Sequence, residues 1–248
     1  MKKTFLASIA AAAATMFAAS GAGAVTFEFD GNNSAVPNDA PVGFVFGVGG
    51  GNGAVDCGTV GVDICSIDDA AGFRYAKDGV DFTAKAFLGD NPTLLIQDLV
   101  GPNQGLGAFS EWPGSTSLDQ INVGESLLFD FTATGQVFLS DIYLNDGLAV
   151  DCPGGGGEGP CGDVLISIDG GLAQSFSEFL ANGILGDGSG NPLTLVGTTF
   201  EFFASVDPGG YSIEQFSVSQ VPVPAALPLL ISGLAGLGFA SRRRKKTA

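Results

Sequence analysis

Histidine is absent from the 248 residues. That removes Ser-His-Asp and Cys-His nucleophilic schemes, histidine acid-base catalysis and most catalytic zinc sites, each of which needs an imidazole as base or ligand. Any enzyme chemistry would rest on carboxylates alone. Cations are nearly as scarce. Of ten Lys and Arg residues, two lie near the start and five near the end, leaving Arg74, Lys77 and Lys85 against 26 Asp and Glu, a net charge of −23 across residues 25–220. A surface of that sign repels nucleic acid and anionic lipid, attracts divalent cations and excludes DNA or RNA as a partner. Indole is limited to Trp112, and tyrosine to three residues.

What is abundant is Phe, with 20 residues, and Gly, with 39. Aromatics at that level with frequent turn formers describe strands joined by short connections, because disordered chains are poor in aromatics. In SLLFDF, Leu127, Phe129 and Phe131 share one face, and in TFEFFASV so do Phe200, Phe202, Ala204 and Val206. Period two means a sheet with one buried side. Further strands are expected at 26, 42, 80, 93, 136, 163 and 211. In the last, Ile213 and then Phe216 and Val218 change phase across Glu214-Gln215, which predicts a bulge. Only a weak helical window, near residues 175–185, interrupts the pattern. The connections are rich in Gly, Asp, Asn and Pro, as in GDNP, NDG, DGG and DPGG. The expected fold is an all-β antiparallel β-sandwich, jelly-roll-like, over residues 25–220.

Both ends differ from this body. Lys2 and Lys3 precede an apolar, small-residue run that closes on Ala22-Gly23-Ala24, the A-x-A exit of a secretory signal, so residues 1–24 are read as a signal peptide cut by signal peptidase. Export makes disulfides the economical use of the four cysteines. Cys57 with Cys65 and Cys152 with Cys161 are the local pairs, although four cysteines permit three connectivities. Each short loop so closed would restrain the unfolded chain by roughly 2 to 3 kcal/mol. A four-cysteine zinc site has the wrong spacing.

Four features of the body are candidate sites. Paired carboxylates serve glycosidases, but 26 acids provide suitable pairs by chance. The run GGGGEG contains G-x-G-x-x-G, yet Pro153 and Pro160 flank it within Cys152 and Cys161, so no helix follows to receive a phosphate. Asp68, Asp69, Asp146 and Asp169 are the candidate ligands for Ca2+, which takes six to eight oxygens; Asp also favours turns through its own backbone hydrogen bonds. Trp112, on a turn before Pro113 and Gly114, is the candidate sugar platform, against the alternative of packing in the core.

From Val221 to Ala240 the chain is apolar and uncharged, and Arg242, Arg243, Arg244, Lys245 and Lys246 follow. Pro222 and Pro224 favour an extended entry, leaving residues 225–240, about 24 Å of helix, as a marginal transmembrane span. The basic block would hold the C-terminus in the cytoplasm.

The order Val221, Pro222, Val223, Pro224, Ala225, then a Leu- and Gly-rich span, then an Arg cluster, resembles the VPLPA variety of the PEP-CTERM sorting signal of Gram-negative bacteria. Val223 stands where that motif usually has Leu. The resemblance covers residues 221–248 and implies a destination rather than an activity. Such tails are processed by exosortase, a membrane protease, as the protein passes from an inner-membrane intermediate to the cell surface or extracellular matrix. Gly105-Leu106-Gly107, Asp119-Gln120-Ile121-Asn122 and the strand Glu125-x-Leu127-x-Phe129-x-Phe131 are similar to the β-sandwich bodies of PEP-CTERM proteins, whose implied setting is exopolysaccharide or biofilm matrix. The expected function is a non-enzymatic surface or matrix protein. The alternative is a calcium-dependent carbohydrate-binding module, and a carboxylate-only hydrolase is a third reading.

Overall fold

The computed structural model describes residues 23–31, 37–44, 54–56, 63–66, 70–99, 104–109, 120–145, 163–180, 183–205 and 210–221. Contacts set Ala24–Gln220 apart as a compact unit from Met1–Gly23 and Val221–Ala248. Within Ala24–Gln220 the described residues form fourteen strands: β1 (Val25–Glu28), β2 (Ala54–Asp56), β3 (Asp63–Ser66), β4 (Phe73–Lys77), β5 (Val80–Leu88), β6 (Asn91–Asp98), β7 (Gly105–Phe109), β8 (Glu125–Asp130), β9 (Val137–Asn145), β10 (Val164–Ile168), β11 (Gln174–Phe176), β12 (Leu195–Gly197), β13 (Thr199–Ala204) and β14 (Ser212–Gln220). No α-helix occurs among the described residues.

Every strand pair is antiparallel, and the strands make one sheet. Its main path runs β11-β10-β13-β8-β5-β6-β7-β14-β9-β12, with β1 beside β14, β4 beside β5, and β3 joining β2 to β6. The all-β antiparallel expectation therefore holds, but the strands form a single, strongly curled sheet, a half-barrel. The curl originates at β6. Its first residues, Asn91–Thr93, pair with Leu88–Ala86 of β5, and its remainder, Leu94–Asp98, pairs with Phe109–Gly105 of β7. Further along β5 the same edge is taken by β4, so β6 has to turn away.

The aromatic core shows how far the sheet turns. Along the path β14 is three strands from β5, about 14 Å if the sheet were flat. Yet the Phe216 ring lies 5.6 Å from Phe82 and 5.1 Å from Phe129, centroid to centroid. Phe27 of β1 likewise meets Phe82 edge-on at 4.9 Å. The residues that alternation assigned inward are the ones buried there, including Leu127, Phe129, Phe131, Phe200, Phe202, Ile213 and Val218. Deep in the same core the Tyr75 hydroxyl donates to Gln97 Oε1 at 2.9 Å. The Gln97 amide in turn donates to the carbonyls of Phe29 and Asp39. Burial and the Asp39 charge push the Tyr75 hydroxyl's pKa well above its ordinary value.

The hairpins follow from Asp-Gly chemistry. Asp78 (φ 49°) and Gly79 (φ 84°) are the two residues between β4 and β5, as a type I′ turn requires. The bulge expected in β14 is present, since its register with β9 shifts between Ile213 and Gln215 and again before Ser217. Asp141 of β9 takes φ 48° opposite that irregular stretch.

Two expectations are corrected. The strand expected at 42 does not begin there: Val42-Gly43 is a turn closed by Phe44 N donating to the Pro41 carbonyl at 3.0 Å, while the rest of the expected strand lies outside the described residues. The helical window holds β11 and an isolated bridge between Phe179 and Leu185. Pairing of Gln174–Phe176 with β10 outweighed the local apolar spacing.

Candidate functional site

Of the residues singled out from sequence, few fall where the structure is described. Trp112, Asp68, Asp69 and Asp146 lie outside it, as do Ala22, Cys57, Cys152, Cys161, Pro222, Val223, Pro224, Ala225 and Arg242 to Lys246. Ala24 is exposed just before β1, and Val221 is half-buried just after β14. Cys65 is buried on β3 and disulfide-bonded, its partner being outside the described residues. No helix among the described residues is long and apolar enough to cross a membrane.

Asp169 can be assigned a job. It sits at φ 51° in the turn after β10. Its Oδ1 accepts hydrogen bonds from Thr198 N at 2.7 Å, Thr198 Oγ1 at 2.6 Å and Thr199 N at 2.9 Å. Those bonds, the Thr198 hydroxyl's foremost, lower the carboxyl's pKa. The side chain thus ties the β10–β11 turn to the start of β13. Among the described residues no group of three or more His, Cys, Asp or Glu could hold a metal ion.

The inner motif residues converge physically. Gly105 (φ +126°) opens β7 where a Cβ would stand 2.7 Å from the Ile213 carbonyl oxygen, so only glycine allows β7 to reach the bulge. Ile121 exchanges both backbone hydrogen bonds with Tyr211. Asn122 to Glu125 is a β-turn in which Glu125 N donates to the Asn122 carbonyl at 2.9 Å and Gly124 supplies the positive φ of 89°. The buried Glu125 carboxylate accepts Asn122 N at 2.8 Å and Asn122 Nδ2 at 3.0 Å. From there Leu127, Phe129 and Phe131 enter the core. Gln120 is buried beside Gly210, and its Nε2 has no hydrogen-bond partner among the described residues. In this arrangement Gly105, Glu125 and the three core side chains build a corner of the sheet.

Among the described residues, the most perturbed carboxyl is one that sequence did not single out for chemistry. Glu214 sits on the β14 bulge, and its carbonyl accepts Phe29 N at 2.8 Å, which brings Asp30 alongside. Burial and then the Asp30 charge push the Glu214 pKa up to about 7. The other edge of β1 is closed by the side chains of Asp39 and Lys77 together with the Asp39 backbone. Glu28 N donates to Asp39 Oδ2 at 3.0 Å, Asp39 N donates to the Glu28 carbonyl at 2.9 Å, and Lys77 Nζ donates to the Thr26 carbonyl at 2.8 Å. Lys77 also pairs with Asp39 at 2.8 Å and lies 5.8 Å from the centre of the Phe27 ring. An edge filled in this way cannot accept a further strand. The phase change across Glu214-Gln215 was the only sequence signal pointing to this region. No family model, curated protein or solved structure matches the chain.

Proposed function

We propose that the chain is an exported, non-enzymatic protein of the cell surface or extracellular matrix, delivered through a PEP-CTERM-type sorting signal that an exosortase-type membrane protease processes. The observation that carries this reading is the order of three parts in the sequence: Val221-Pro222-Val223-Pro224-Ala225, an uncharged apolar run, and five basic residues from Arg242 to Lys246. It is supported by the signal-like opening and by the end of β14 at Gln220, directly before the motif. The strong negative charge of residues 25–220 suits a hydrated polysaccharide setting and disfavours attachment to anionic lipid. In this reading the curled sheet is a jelly-roll-like sandwich whose leaves are joined through β6.

Mass spectrometry of the secreted protein tests the tail. The expected mature form lacks the residues beyond about Ala225, and an intact Arg242–Lys246 block on extracellular protein would refute processing. Replacing Pro222 and Pro224 by Ala is expected to leave membrane insertion intact and to block release, because hydrophobicity drives insertion and the motif directs cleavage. A glycan array with and without calcium tests the role of the sheet domain. No binding in either condition agrees with a matrix role, whereas calcium-dependent binding would replace it with a carbohydrate-binding module.

A further inference from the structure

We propose that Glu214 and Asp30, brought together where the chain leaves β1 and crosses the bulge of β14, form a proton-controlled latch on the N-terminal strand: with Glu214 protonated β1 stays docked, and its ionisation frees β1 ahead of the rest of the sheet.

The geometry supplies the coupling. The Phe29 N–H to Glu214 carbonyl bond continues the β1–β14 pairing beyond Glu28 and Gln215. Glu214 therefore carries its side-chain charge on the same residue that holds the end of β1. Gly105 packs its backbone against Ile213 and Glu214, which limits how far the bulge can move to relieve repulsion. The elements around it offer little compensation. β7 has no charged residue, β9 contributes Asp141, and β6 contributes Asp98 opposite Gly105. On the β1 side stand Glu28, Asp30 and Asp39, and the cation there is Lys77, engaged with Asp39 and the Thr26 carbonyl. Of these acids, Asp30 is the one whose charge acts on the Glu214 carboxyl.

The sign follows from linkage. The carboxyl's pKa is raised from 4.5 to about 7 in the folded state. Its contribution to stability is fully present below about pH 4.5 and is lost as pH rises through about 7. That loss acts on β1, because β1 is the neighbour of the bulge that brings Asp30. The opposite edge of β1 is held by the Asp39 and Lys77 side chains and by the Asp39 N–H on the Glu28 carbonyl rather than by a further strand.

Hydrogen exchange on the full-length chain in mild detergent, at pH 5.5 and pH 8.5 and corrected for intrinsic rates, reads the latch. Protection of the Phe29 amide should fall on the order of tenfold at the higher pH, the factor carried by one pKa unit, with partial solvation of Glu214 limiting the full displacement. Amides of β8 and β13 should keep their protection. Glu214→Gln should abolish the pH dependence, and Asp30→Asn should move its midpoint to lower pH. If Glu214→Gln does not fold, a carboxyl NMR titration of Glu214 in the wild-type and Asp30→Asn chains takes its place, the midpoint being expected lower in the variant. Equal Phe29 protection at both pH values, an equal loss across all strands, or an unchanged midpoint in Asp30→Asn would overturn the proposal.

Discussion

Phe216 shows how one residue can hold the curl. Its ring meets those of Phe27, Phe29, Phe82, Phe129 and Phe131, with centroids 5.1 to 6.3 Å away. These rings come from β1, β5, β8 and the residues next to them, so the side chain is the contact through which distant strands of one sheet face each other. Phe216→Ala should cost about 3 to 5 kcal/mol, as buried Phe truncations do. A fall in the urea midpoint at unchanged m-value would show that stability rather than the unfolded state has changed. Tyr or Met would not substitute equally, because a ring packed edge-on or tilted against five others leaves no room for a hydroxyl, and Met would forfeit the ring–ring contacts.

At the scale of the element, Asp169 shows why turn residues resemble ligands in a sequence. Its carboxylate accepts three donors from Thr198 and Thr199, and Gly197 is needed beside it because a Cβ there would meet Ile168 and Asp169. Asp169→Ala should destabilise by on the order of 1 kcal/mol, since the bonds are charge-assisted but exposed. Because the folded pKa is lowered, the contribution is present above the unfolded value of 3.8 and is lost as pH falls through the lowered one. Chemical denaturation of wild type and variant should therefore differ at pH 7 and converge in strong acid.

Elements with one wet face were legible in the sequence for a simple reason. β5 and β13 alternate buried and half-buried residues along their length, so period two survives in the letters. β6 does not alternate. Its last four residues are all buried, so side chains on both faces of the sheet are covered there and the alternation is lost. β2, β11 and β12 are three residues each, too short to display a period. The β14 bulge was legible because a bulge shifts phase. The meeting of Glu214 with Asp30 was not, since it depends on β1 pairing with a strand from the far end of the chain. The curl at β6 was equally hidden, because alternation says which face is buried and not which strands face each other.

For the whole molecule, the imbalance of three cations against 26 acids between residues 25 and 220 sets a general electrostatic response. Two of the three cations are already paired, Arg74 with Asp81 and Lys77 with Asp39. Most of the negative charge is therefore met by solvent ions. Sodium chloride should raise the melting temperature at neutral pH between low salt and about 0.15 M, where screening shortens the Debye length to about 8 Å. A melting temperature that falls with salt would mean that the two ion pairs outweigh the net repulsion.

Val25 at the start of β1 lies opposite Val218 near the end of β14. The sheet domain's entrance and exit are therefore side by side. A polypeptide held at both ends could still fold without its ends being pulled across the domain. Load applied between those ends would open the β1–β14 seam like a zipper, one rung at a time, long before it strained the aromatic interior.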